Sequence, residues 1–170
     1  MKRIPLVKRD FCVIVDDGDY DELARYIWYA IDTREKRTAY ASRVLFKPDG
    51  SKTSMLMHRM ILGAEKGTFV DHRDGNGLNN RRENLRMANK SLNAANKPKG
   101  DYPITRSSSR YKGVTFSQRD QKWSAYIQVN SKRISLGFCG SEDDCAMAYN
   151  RAALHYFGEY AWLNDIEIDD

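Results

Sequence analysis

The chain has 170 residues, of which 41% are apolar and 30% charged, with a net charge of +5 and a pI near 9.1. These values predict a soluble globular protein of one domain or two small ones, with modest cores. No apolar run reaches the length of a membrane span and the N-terminal stretch lacks a signal-peptide pattern, so the expectation is a cytoplasmic protein without a membrane partner. Cys12, Cys139 and Cys145 are widely spaced and form no C-x-x-C pair. They read as plain thiols, not as a zinc knuckle or a disulfide framework.

Charge is unevenly distributed. Acids gather at Asp16, Asp17, Asp19, Asp21 and Glu22, and again at Asp165, Glu167, Asp169 and Asp170. The stretch between them is left basic, as a nucleic-acid footprint requires.

In chain order, "FCVIV" predicts a buried strand. "DYDELARYIWYAI" predicts a helix with Leu23, Tyr26 and Ile27 on one face. "TAYASRVLF" and "KTSMLMHRM" predict a hairpin turned by "KPDGS". His58 then reads as a packing residue beside that hairpin. "VDHRDGNGLNNRRENLRM" predicts a strand ending at His72, a long loop and a return strand. Asn89 or Ser91 would cap a helix running through Asn93 and Asn96. "KPKGDYPITRSSSR" has linker composition, with Lys97, Lys99, Arg106 and Arg110 spaced to follow a phosphate backbone. "YKGVTF", "WSAYIQV" and "RISLGF" alternate as three antiparallel strands, with Trp123, Ile134, Leu136 and Phe138 assigned to the core face. "SEDDCAMAYNRAALHYFG" predicts a helix with a Ser141–Asp144 capping box and a stop at Gly158. Its buried stripe is Cys145, Ala148, Tyr149, Ala152, Ala153 and Tyr156. His155 reads as a charge at the helix C-terminus.

The Asp71-His72 pair carries the chemistry. A helix packed across the hairpin would bring Asn93 near Asp71, offering two hard oxygen ligands. That suits Mg²⁺, which takes few protein ligands and completes its shell with water and phosphate. His72, on the opposite strand face, would hold a water for in-line attack, with a pKa suited to a general base. A calcium-binding loop is excluded because Arg73 falls where such a loop needs an oxygen ligand. Arg73, Arg81, Arg82 and Arg86 surround the pair, and Arg86 is the favoured phosphate contact.

These residues resemble the HNH nucleases, in particular the homing endonucleases of phage introns. "MHRMILG", "DGNGLNNRRENLR" and "DYDELARYIWYA" share the likeness, which covers residues 1 to 97. The resemblance implies a ββα-metal core in which Asp71 and Asn93 bind one divalent metal. His72 would activate water, and Asn84 would brace the loop and hold the histidine. It further implies Mg²⁺, with Mn²⁺ as a substitute, and cleavage leaving 5′ phosphates. No small-molecule cofactor is expected.

Residues 111 to 164 resemble the ethylene-response-factor (APETALA-type) DNA-binding domain, through "YKGV" and "LGFCGSEDDCAMAYNRAALHYFGEYAWLN". That likeness implies a three-stranded sheet laid in the major groove of double-stranded DNA. The outward positions would be Lys112, Thr115, Ser117, Gln128, Arg133 and Ser135. Plant members usually place several Arg and Trp residues there, whereas this chain has Thr, Ser and Gln at some of them.

The expectation is therefore an α+β chain. Residues 1–97 form a β-rich N-terminal region with the nuclease core, 98–110 a basic extended linker, 111–164 the DNA-binding domain, and 165–170 an acidic tail. The expected function is a site-directed, metal-dependent DNA endonuclease acting as a monomer that nicks, with a double-strand break needing a second chain or a second event. The alternative is a DNA-binding regulator with an inactive nuclease fold.

Overall fold

A computed structural model describes residues 1–7, 9–32, 38–99 and 108–166. The chain divides into two compact units, Met1–Asn89 and Lys90–Asp170. Arg106, most of the expected linker and the end of the acidic tail lie outside the described residues.

The first unit is a set of small antiparallel sheets around one core. β1 (Lys2–Pro5) pairs with β2 (Cys12–Val15). α1 (Asp17–Leu23) follows, and is shorter than the sequence predicts. Past Leu23 the aromatic and β-branched run "YIWYAI" favours extended backbone, and β3 (Tyr29–Asp32) pairs with β4 (Ala39–Phe46). Trp28 is buried, and its indole N–H donates to the Leu23 carbonyl at 2.8 Å, closing the end of α1. Ile27, expected on the helical face, is 64% exposed.

β4 and β5 (Lys52–Leu56) form the predicted hairpin. Its second half does not stay extended. "MHRMIL" winds into α2 (Met57–Leu62), which ends at Gly63 in a left-handed conformation with φ of 60°. One face of α2 buries Met57, His58 and Ile61. β6 (Phe69–His72) and β7 (Leu85–Ala88) make the last pair of the unit. The core unites Ile4, Leu6, Val13, Val15, Leu23, Trp28, Ala41, Met57, Ile61 and Leu85.

The second unit opens with α3 (Lys90–Ala95) and continues with β8 (Val114–Ser117), β9 (Lys122–Val129), β10 (Lys132–Cys139) and α4 (Glu142–Phe157). The strands form one antiparallel sheet in the order β10-β9-β8, against which α4 packs. The capping box is present, with Ser141 Oγ accepting from the Asp144 amide at 3.0 Å.

Three expectations need correction here. A bulge at Leu136 shifts the register between Ser135 and Gly137 and turns Phe138 onto the face away from α4, where it is 60% exposed. The α4 stripe buries Ala146 and Phe157, whereas Tyr156 is 42% exposed. Cys139 and Cys145 are not plain thiols but form a disulfide, because the end of β10 and the first turn of α4 bring their Cα atoms to 5.4 Å. No helix among the described residues is long and apolar enough to cross a membrane.

Candidate active site

The β6–β7 ladder sets the site. Asp71 stands opposite Arg86 and His72 opposite Leu85. Residues facing each other across strands share a sheet face, so Asp71 and Arg86 meet directly. Arg86 Nε donates to Asp71 Oδ2 at 2.8 Å, and both side chains are buried. Arg86, the phosphate contact favoured from the sequence, thus lies against Asp71. A guanidinium buried this deeply is committed to compensating the carboxylate, whose charge would otherwise be costly to desolvate.

His72 points to the other face and is also buried, at 4% exposure. Its ring meets two others. The His58 ring lies 5.0 Å away at 88°, and the Tyr40 ring 5.7 Å away at 50°. Tyr40 and His58 also touch each other, at 5.5 Å. Burial lowers the His72 pKa, against the opposing pull of Asn80, Asp74 and Asp71. A lowered pKa leaves the imidazole neutral at pH 7, the state a proton acceptor needs.

The loop from Arg73 to Arg81 is internally tied. Asp74 Oδ1 accepts from the Asn76 amide at 2.8 Å and from Asn84 Nδ2 at 2.9 Å, and its Oδ2 accepts from Asn79 Nδ2 at 2.7 Å. Burial raises the Asp74 pKa, but the hydrogen bonds from Asn79, Asn76 and Asn84 outweigh it, and the net shift is downward. Asn84 sits in a 3₁₀ turn (Arg82–Asn84) and is buried. It also donates to the Asn79 carbonyl at 2.8 Å, while its Oδ1 accepts from the Asp74 amide at 3.1 Å. Asn84 thus bonds to both Asp74 and Asn79 of the loop.

Three further hydrogen bonds fix the loop to the rest of the unit. The Ile14 amide donates to the Leu78 carbonyl, and the Asn80 amide to the Ile14 carbonyl, each at 2.8 Å. The Gly77 amide donates to Thr38 Oγ1 at 2.6 Å. Gly77 passes so close to β4 that a Cβ there would lie 2.5 Å from the Ala39 carbonyl and 2.6 Å from the Tyr40 ring. Sequence reasoning missed Tyr40, Asp74 and Asn80 as site components. It took His58 as packing without naming its partner. The only available signal was "MHRM" interrupting an otherwise strand-like alternation.

The other site arginines are engaged as well. Arg82 pairs with Asp19 at 2.7 and 2.9 Å, and Arg81 with Glu83 at 2.6 Å. Part of the N-terminal acidic cluster is thus used inside the first unit.

Asn93 lies half-buried on α3, in the second unit. Leu92 and Ala95 of this helix pack with Ile127, Tyr149, Ala153 and Phe157. The Ala95 carbonyl accepts from the Trp162 amide at 3.2 Å and from Lys112 Nζ at 2.7 Å. Lys112 also donates to the Lys97 carbonyl at 2.6 Å, and burial lowers its pKa to about 8. The ammonium of Lys112, a residue expected to be a groove contact, thus serves carbonyls at the C-terminal end of α3. Lys99 Nζ likewise donates to the Ser109 carbonyl, while Lys97 and Arg110 are exposed.

On the sheet face away from α4, Thr115 stands opposite Ser124, Ser135 opposite Tyr126, and Arg133 opposite Gln128. The Arg133 guanidinium stacks on the Tyr126 ring at 3.5 Å. Thr115, Ser117, Gln128, Arg133 and Ser135 therefore share one surface, with Tyr126 and Phe138 added to it.

Residues 53–95 match the HNH endonuclease family model. The HNH segment runs from β5 to the end of α3, so it takes in α2 with His58 as well as the Asp71-His72 pair. An uncharacterized HNH endonuclease of Acanthamoeba polyphaga mimivirus is 33% identical over 99 residues, or 58% of this chain and 48% of that protein. An APETALA2-like protein of Oryza sativa subsp. indica is 39% identical over 57 residues, 34% of this chain and 13% of the relative. An AP2-like ethylene-responsive transcription factor of Arabidopsis thaliana shows the same identity over the same length, with 12% of its own chain covered. The chain thus spans about half the mimivirus protein and a small part of the plant ones. No solved structure matches.

Among the described residues no group of three or more His, Cys, Asp or Glu side chains converges on a metal-sized site. A carboxylate and an amide nevertheless suit a hard cation that keeps most of its water.

Proposed function

We propose that this chain is a divalent-metal-dependent endonuclease of the homing type, hydrolysing a phosphodiester bond in duplex DNA. The observation that carries the reading is the buried Asp71-His72 pair at the end of β6, inside the HNH segment, with its loop braced by Asn84. The neutral His72 imidazole takes a proton from the attacking water as its oxygen bonds to phosphorus. The bond to the 3′ oxygen breaks; that oxygen keeps the electron pair and takes a proton from solvent, giving a 3′ hydroxyl and a 5′ phosphate. Asp71 and Asn93 are the residues that would hold Mg²⁺ or Mn²⁺, which supplies charge stabilisation at the phosphate. Asn84 keeps the loop in place. The outward face of the second unit, with Thr115, Gln128, Arg133 and Ser135, reads the duplex, and Lys97 and Arg110 contact its backbone. The domain that cuts and the domain that reads correspond to residues 1–97 and 111–164, joined by 98–110. One site per chain makes nicking by a monomer the basic event.

The test is nicking of supercoiled plasmid carrying a selected target, with Mg²⁺ and with EDTA. His72→Ala should slow nicking by roughly 10²- to 10⁴-fold, the usual contribution of a general base, with DNA affinity in EDTA unchanged. A rate within a few-fold of wild type would remove His72 from the chemistry.

A second reading, a DNA-binding regulator with an inactive nuclease fold, draws on one observation: Asp71 is already paired with Arg86. Metal-independent DNA binding with no nicking in either Mg²⁺ or Mn²⁺ would favour it.

A further inference from the structure

We infer that His58 is a positioning residue for the proposed base His72, and that it acts as a rigid ring and not as a proton carrier. The inference rests on the reading of His72 as the base. His58 is 6% exposed and meets His72 edge to face. Its Nδ1 is buried with no hydrogen-bond partner among the described residues. A histidine placed for its hydrogen bonds would have that nitrogen satisfied; here it is the ring's volume that touches the neighbour.

Two elements carry this wall. α2 brings His58 from one side, with its adjacent Met57 locked in the core at 0% exposure. β4 brings Tyr40 from the other, and Gly77 lets the catalytic loop lie directly on that ring. His72 is therefore bounded by two aromatic rings whose own positions are fixed by packing. A side chain confined in this way keeps one rotamer. A reacting group needs that confinement, because small displacements cost rate steeply.

The prediction separates shape from chemistry. His58→Ala removes the ring and should lower kcat for plasmid nicking by about 10- to 100-fold, the scale of a misplacement near 1 Å. Its KM for DNA and its DNA affinity in EDTA should not change. His58→Phe restores a ring of similar outline and should recover most of kcat. Tyr40→Leu, which strips the other wall and leaves His58 in place, should lower kcat in the same way and serves if His58→Ala fails to fold. Thermal melting of each variant confirms the folded state.

A kcat within two-fold of wild type for folded His58→Ala or Tyr40→Leu overturns the inference. So does a folded His58→Phe as slow as His72→Ala, since shape would then not be what His58 supplies. His72→Ala is assayed alongside. If it cuts normally, the base reading itself fails; if it is slow while His58→Ala is fast, only the positioning role fails.

Discussion

At the residue scale, the first unit holds two histidines whose burial keeps them uncharged, with a consequence for stability. His58 has its pKa lowered to about 3 by burial first, then by the nearby His72 and Arg59 charges. The unfolded chain takes up this proton near pH 6.5, whereas the folded chain does not until near pH 3. Below about 6.5 the unfolded state therefore binds more protons, and stability falls as pH falls. The slope is about 1.4 kcal/mol per pH unit for one such group. Above pH 7 the effect is absent. His72 acts in the same direction. Urea midpoints measured from pH 7.5 down to 4.5 should drop steeply for wild type and less steeply for His58→Phe. Equal slopes would mean that His58 is already protonated in the fold.

The residues proposed to carry the chemistry could be picked out in the sequence, because Asp71, His72 and Asn84 stand in a recognisable order. Their partners could not. Arg86 reads as a surface cation until the β6–β7 register sets it against Asp71, fifteen positions away. Tyr40 and His58 come from other elements, and no local pattern links them to His72.

At the element scale, strands with clean alternation were predictable and the exceptions have identifiable causes. α1 stops early because Trp28 is needed in the core and the following residues pair as β3. α2 emerges from a strand-like pattern because Met57 and Ile61 are wanted on one helical face. The bulge at Leu136 inverts Phe138, which no periodicity anticipates. The loop over β4 offers the sharpest test at this scale. Gly77→Ala would place a methyl against the Ala39 carbonyl, a backbone atom that cannot swing aside. Overpacking of this kind costs typically 1–3 kcal/mol, so the variant should show a lower urea midpoint. It should also nick more slowly than that loss of stability explains, since Tyr40 is displaced with it. A midpoint equal to wild type would show that the loop has room to move.

At the scale of the whole molecule, the sequence pattern and the contacts divide the chain at different places. The sequence places the boundary in the linker after Lys97, because Pro and Gly are there. The contacts place it between Asn89 and Lys90, because Leu92 and Ala95 find their apolar partners on the sheet and helix that follow. The basic character of the chain has a measurable counterpart on the outward sheet face. Arg133→Ala should weaken duplex binding and reduce the slope of log affinity against log salt by about 0.9, the value of one phosphate contact. An unchanged slope would mean that Arg133 reads bases or touches no DNA.

The anchoring of α3 also bears on how such chains can be recombined. On the proposed reading the chain is not a cutter with a detachable reader, since the peptide that carries Asn93 packs within the second unit. A graft of a different specificity onto the first unit would therefore have to keep α3 and rebuild the apolar cradle and the lysine that receive this short helix. A junction at the conspicuous Pro-Lys-Gly would separate Asn93 from what holds it.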